Sequence, residues 1–244
     1  MKHEDSNDAN DIDSDRQHVM LDISDPQAPP PNADWAARRE AADALRRLIG
    51  LMATTTSDAA VMRALARSLH AQAELLAEAP QMHGRAAFAE FEQGRMGSWG
   101  DIARETNPLS GRSNPLAPPL LLWLEGDTAH GRATLGWQYE GPPSSVHGGF
   151  VCALFDHFLG MAQRLTGQPG VTGTLTTRFH HPTPLNTELE LVGRVVEVSG
   201  RKNLLRGEIR ANGMLTASCE GTFIFISKQR FRAMVASHNG EATA

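Results

Sequence analysis

An acid seven residues along a helix from a pair of glycines is the arrangement in this chain richest in chemistry. From Gly149 to Gly160 the residues are apolar nearly all round except Asp156 and His157, which predicts a helix buried on every side. A carboxylate placed there costs free energy unless it is paired or protonated. Asp156 is therefore the first candidate for acid–base or nucleophilic work; the alternative is a hydrogen bond or ion pair that holds a core together. His147-Gly148-Gly149 opens the same helix. Two glycines allow a tight entry and a close approach by a ligand. The free N–H groups of a helix start favour negative charge, which is an oxyanion site in outline. Seven residues turn a helix by about 700°, so Gly149 and Asp156 share a face, about 10 Å apart along the axis. One small reacting group cannot touch both. Antiparallel two-fold pairing would bring Gly149 of one chain near Asp156 of a second, so the spacing predicts a homodimer with two composite sites.

Other candidates carry less. No HExxH or CxxC occurs, so no metal site is expected. No G-x-S-x-G elbow occurs, which argues against a serine hydrolase. His180 and His181 are adjacent on a strand and should point to opposite faces. His157 lies about 100° round the helix from Asp156 and reads as packing. Cys152 reads as a core thiol. Gly167, Gly170 and Gly173 read as turn glycines whose spacing makes no phosphate loop.

The elements that must hold these residues follow from pattern. Leu120 to Leu124 and Arg132 to Tyr139 read as a strand pair, and Gly149 to about Thr166 as the helix. Thr172 to Phe179, Glu188 to Val198, Leu204 to Arg210 and Leu215 to Ile226 read as strands, with Asn212-Gly213 as a hairpin turn. The order ββ-α-ββββ implies an α+β domain, an antiparallel sheet with one helix packed on it. Upstream, 34–79 reads as a helical hairpin. Its first helix starts at an Asp34 cap and carries Leu45, Leu48, Ile49 and Met52 on one face. Its second is capped by Ser57 or Asp58 and carries Val61, Leu65, Leu69 and Leu76. Segment 80–115 is rich in Gly, Pro, Asn and Ser and reads as a wrapping loop or lid. The domain proper covers 116–228, and 229–244 is a C-terminal tail.

The chain has 244 residues and a net charge of −5. Residues 1–25 hold eight acids and two bases, so the charge belongs to the acidic segment 1–33, which reads as a disordered tail. Acids and bases balance over 34–79, and no basic footprint for nucleic acid is present. The longest apolar runs fall far short of the roughly 20 residues of a membrane span. Two cysteines and the absence of a secretory or transit pattern predict a cytoplasmic protein.

His147-Gly148-Gly149 followed by six residues and Asp156 resembles the HGG-x6-D signature of the hot-dog-fold acyl-CoA thioesterases. Within them it resembles the phenylacetyl-CoA and 4-hydroxybenzoyl-CoA thioesterase-like branch, nearest the member-4-like group. Gly141-Pro142-Pro143, the strand Thr172 to Pro182 and Ser199-Gly200-Arg201-Lys202 fit the same pattern. The resemblance covers about 120–227. It implies a hot-dog fold, in which the antiparallel sheet wraps one long central helix, and hydrolysis of an acyl-CoA to free acid and coenzyme A. It implies Asp156 as general base or nucleophile, and the Gly149 N–H as donor to the thioester oxygen across a dimer interface. His147 would steady the thioester, and Thr172 would orient the water or the carboxylate. Gly148, Arg201 and Lys202 would meet substrate, the latter two at the phosphates of coenzyme A. No cofactor is implied, and the partner is a second copy, with a dimer of dimers open. Some relatives carry Asn six residues before the His, where this chain has Gly141. A non-catalytic acyl-CoA sensor or scaffold of the same fold is the competing reading; retention of Asp156 argues against it. Phe150, Phe155, Phe158 and the 80–119 segment are candidate lining for the acyl group, with core packing as the equal alternative.

Overall fold

Alternation along the last strand shows how the sheet is built. Ala217, Cys219, Gly221, Phe223 and Phe225 are buried, while Ser218, Glu220, Thr222 and Ile224 face outward. The computed structural model describes residues 28–84, 91–118 and 120–227. The expected acidic tail lies outside the described residues as far as 27, and the expected C-terminal tail lies wholly outside them. Two units are present: one holds 120–135 and 139–227, the other 29–118 and 136–138.

The first unit contains six antiparallel strands. They are β1 (Leu121–Glu125), β2 (Thr128–Thr134), β3 (Gly170–Phe179), β4 (Glu188–Ser199), β5 (Lys202–Ala211) and β6 (Met214–Phe225). Their order is β1-β2-β4-β5-β6-β3, which leaves β3 at an edge, paired to β6 alone. Asn212 and Gly213 both have positive φ, the two-residue turn that matches strand twist. The second strand ends earlier than its sequence pattern suggests, because Trp137–Tyr139 forms a 3-10 turn.

One long helix, Gly148–Ala162, packs on the sheet through Val151, Leu154, Phe155, Phe158, Leu159 and Ala162. A short 3-10 turn, Gln163–Thr166, replaces its expected last α-turn and ends at Gly167 with positive φ. Glycines in the sheet set how closely the helix sits. Gly193 and Gly207 lie opposite each other on β4 and β5. A Cβ on Gly193 would be 2.8 Å from the Phe158 ring, and one on Gly207 would be 3.0 Å from Leu159 Cδ2. Phe155 and Phe158 are fully buried there, so of the two roles open to them, acyl lining and core packing, they take core packing.

The second unit is helical. Helix α1 (Ala33–Thr54) is capped by Asn32, whose side chain accepts from the Trp35 N–H at 3.0 Å. Asp34, the expected cap, sits in the first turn instead and pairs with Arg95 at 3.0 Å, which holds its carboxyl below the usual range. Helix α2 (Ala59–Ala77) is capped by Asp58, which accepts from the Ala60 and Val61 N–H groups. None of its residues is buried, and Leu45, Ile49 and Met52 of α1 are exposed. A third helix, α3 (Trp99–Thr106), lies in the segment expected to be loop. It is held by a reciprocal cap between Ser98 and Asp101. The long helix of the first unit is α4. Trp35, Met96 and Ile102 form a small core, with Trp35 Nε1 donating to the Met96 carbonyl at 2.8 Å. Fully buried Glu105 accepts from Arg39 Nε at 3.1 Å and from Ser113 Oγ at 2.7 Å. Among the described residues, no helix is long and apolar enough to cross a membrane.

Candidate active site

Helix α4 shows two faces, not one buried surface. Its apolar side meets the sheet, while Gly149 and Asp156 lie on the exposed side. The expectation of a carboxylate buried within one chain is therefore wrong. The apolar residues between the two positions suggested a helix enclosed all round, but half-buried Cys152, Ala153 and Gly160 leave this side open. Among the described residues, none covers the Asp156 side of the helix enough to bury it.

Asp156 is not left to itself. Thr172 Oγ1 donates to Asp156 Oδ1 at 2.7 Å. The register explains how Thr172 gets there. Thr172 pairs with Phe223 and Thr174 with Thr222, so Gly173 is the extra residue of a β-bulge and not a turn glycine. A bulge re-aims the side chains beside it. A Cβ at Gly173 would be 3.1 Å from Ile224 Cγ1 and 3.3 Å from the Thr222 carbonyl, so the bulge is tightly seated.

At the other end of the exposed face, His147 caps α4. Its Nδ1 accepts from the Gly149 N–H at 3.0 Å, and its carbonyl accepts from the Phe150 and Val151 N–H groups. The Gly149 N–H expected to be free for a thioester oxygen is thus engaged by the imidazole. Among the described residues no acceptor is found for the Gly148 N–H. The turn before His147 is pinned by Val146 N–H to the Thr183 carbonyl and His147 N–H to the Tyr139 carbonyl. Gly141 is pressed against it: a Cβ there would be 2.7 Å from His147 Cα. Position 141 has no room for a side chain in this turn. Phe150 is half-buried and meets Tyr139 edge-on at 4.8 Å between ring centres.

Arg201 is engaged within the chain. Its guanidinium donates to the Phe225 carbonyl at 3.0 and 3.3 Å, tying the end of β6 to the β4–β5 hairpin. Lys202 is exposed at the start of β5. Both lie at the Thr172 end of the sheet, because Phe223 pairs with Thr172 on one side and Asn203 on the other. His180 bonds to Ser218 Oγ at 2.8 Å. Among the described residues no cluster of His, Cys, Asp and Glu is arranged to hold a metal ion.

Phe179 is the neighbour that sequence reasoning left out of the site. It ends β3, is exposed, and lays its ring against Gly148. The signal was present: an aromatic seven residues past Thr172 on the same strand.

Residues 144–218 match the family model of the thioesterase superfamily. A crystal structure of a thioesterase superfamily protein aligns with 81% of this chain and 97% of its own, at 35% identity and a TM-score of 0.64. The acyl-coenzyme A thioesterase THEM4 of Xenopus laevis is 29% identical over 87 residues. That match spans 36% of this chain and 39% of the relative. A mutant of the phenylacetic acid degradation protein PaaI from Thermus thermophilus is 24% identical over 44% of this chain and 93% of its own, with a TM-score of 0.41.

Proposed function

Because this chain belongs to the thioesterase superfamily and has its hot-dog fold, we propose that it hydrolyses acyl-CoA thioesters at a site shared between two copies. The observation that carries the reading is the Asp156–Thr172 hydrogen bond on the exposed face of α4, at the opposite end of that face from the helix start.

Position supports the dimer. Within one chain Gly148 lies at the Phe179 end of β3 and Asp156 at the Thr172 end. The outer edge of β3 is a natural place for a second copy to add on. Antiparallel pairing of two β3 strands about their centres sets the Phe179 end of one beside the Thr172 end of the other. The helix start of one chain then faces Asp156 of the partner subunit, and the interface desolvates that carboxylate. The two free thiols, Cys152 and Cys219, suit a reducing cytoplasm.

In this site the thioester oxygen accepts hydrogen bonds from the α4 N-terminus, which stabilises the charge developing on it. The Gly149 N–H joins once the His147 imidazole gives up its hydrogen bond, and His147 then steadies the thioester. Asp156 takes a proton from water as the water oxygen bonds to the carbonyl carbon. The tetrahedral intermediate collapses, the C–S bond breaks, and the coenzyme A thiolate leaves and is protonated. As a nucleophile, Asp156 would instead form an anhydride that water cleaves. Thr172 fixes the carboxylate in either route. Gly148 borders the thioester, and Lys202, with Arg201 behind it, lies where coenzyme A phosphates would exit.

The test is Asp156→Asn assayed for thiol release across an acyl-CoA panel. Turnover should fall by about 10²–10⁴-fold, the usual worth of a positioned base, with melting temperature and dimer unchanged. Wild-type turnover in this variant would overturn the assignment, and saturable binding without thiol release by the wild type would favour the sensor reading.

A further inference from the structure

Phe179 is 54% exposed, yet it is not a loose surface residue. Its Cζ would lie 3.3 Å, and its Cε1 3.6 Å, from a Cβ built on Gly148. The ring therefore occupies the space beside the peptide whose N–H has no acceptor among the described residues. It does not join the hydrophobic core, to which Leu175 on the same strand does contribute. An aromatic ring held against glycine backbone at a helix start is an apolar surface beside a polar donor, the pairing a binding pocket uses to orient a ligand.

We propose that Phe179 is a specificity-determining residue: its ring is the apolar wall on which the first carbons of the acyl group lie while the thioester oxygen sits on the start of α4. The proposal rests on the thioesterase reading and deepens it by naming the substrate class, acyl groups with an apolar chain next to the carbonyl. An acyl carbon bonded to a carbonyl at this helix start has little choice of direction. One side is closed by the ring, and the other, in the pairing described above, faces Asp156 of the partner subunit. A chain long enough to cover the ring gains contact that an acetyl group cannot make.

The experiment compares kcat/KM for hexanoyl-CoA and acetyl-CoA in wild type, Phe179→Ala, Phe179→Gln and Phe179→Leu. In the alanine variant the hexanoyl-to-acetyl ratio should fall about tenfold, the worth of one to two methylene groups of contact. The fall should come mainly through KM for hexanoyl-CoA. The glutamine variant keeps length but not the ring and should behave like alanine. Leucine should restore most of the ratio. If alanine lowers the melting temperature or breaks the dimer, the glutamine and leucine variants decide. An unchanged ratio in alanine and glutamine variants that still hydrolyse acetyl-CoA overturns the proposal and leaves the thioesterase reading standing. A wild type that turns over neither substrate but releases thiol from another member of the acyl-CoA panel overturns the proposal alone, and one that releases thiol from no member overturns both.

Discussion

The two units of this chain keep their interiors shut in different ways. In the sheet unit the interior is apolar and fitted by shape: Phe155, Phe158 and Leu159 of α4 lie over Gly193, Gly207 and Gly221. In the helical unit the apolar core reduces to Trp35, Met96 and Ile102, and a buried Arg39–Glu105 pair stands beside it. A helix on a broad sheet excludes water by contact area alone. The helices of the other unit bury few apolar residues, and there a hydrogen-bonded ion pair fixes which segment meets which. The difference also says where chemistry can sit. Because the sheet side takes Val151, Leu154, Phe155, Phe158 and Leu159 of α4, the opposite side carries Gly149, Cys152, Ala153, Gly160 and Asp156.

Glu105→Ala should be the most damaging change. It leaves the Arg39 guanidinium without its carboxylate in a buried place, an error worth about 3–5 kcal/mol. Denaturant unfolding followed by tryptophan fluorescence reads it, since Trp35 is fully buried in that unit. Replacing both partners, Arg39→Met with Glu105→Leu, should recover most of the loss; a double variant as unstable as the single one would show that the pair itself holds the fold. Gly193→Val comes next. Its Cβ would press on Phe158, and overpacking of this kind costs about 1–3 kcal/mol. A melting temperature equal to wild type would mean that α4 is less tightly seated than its distances say.

Much of this was legible in the residues, and the reasons differ from place to place. The relation of Gly149 to Asp156 was readable because a seven-residue helical spacing is local geometry. Asn212-Gly213 was readable because few dipeptides tolerate two positive φ values. The exposure of Asp156 was not, since a run of apolar and small residues does not tell which side a sheet will take. Helix α3 was missed because it is only eight residues long, although Ser98 and Asp101 carry its cap in sequence. The engagement of Arg201 with the Phe225 carbonyl is a contact across 24 residues that no local pattern encodes. The β-bulge at Gly173 depends on the register of β3 with β6, which likewise appears only once the strands are paired.

Smaller effects sharpen the picture of α4. Thr172→Ala should lower turnover about tenfold, the worth of one hydrogen bond to a charged group, with stability little changed. A drop in melting temperature without loss of rate would make Thr172 a structural residue. The smallest signal is chemical. Burial pushes the Cys219 thiol above its usual range, while Cys152 is half-exposed on α4. Alkylation of the native protein at mild alkaline pH should therefore label Cys152 well before Cys219, as peptide mapping would show. In the paired state proposed here, Cys152 should slow as the dimer forms.

The central claim is that one site takes its helix start from one chain and its carboxylate from the other. Two inactive variants test it when mixed: Asp156→Asn, and Gly149→Val, whose side chain would press on the His147 ring. Mixed dimers contain one site with both lesions and one with neither. After unfolding and refolding together at equal amounts, about a quarter of wild-type thioesterase turnover should return, because half of the dimers are mixed and each has one intact site. No recovery, with mixed dimers shown to be present, would contradict the shared site and place the whole of the chemistry within a single chain.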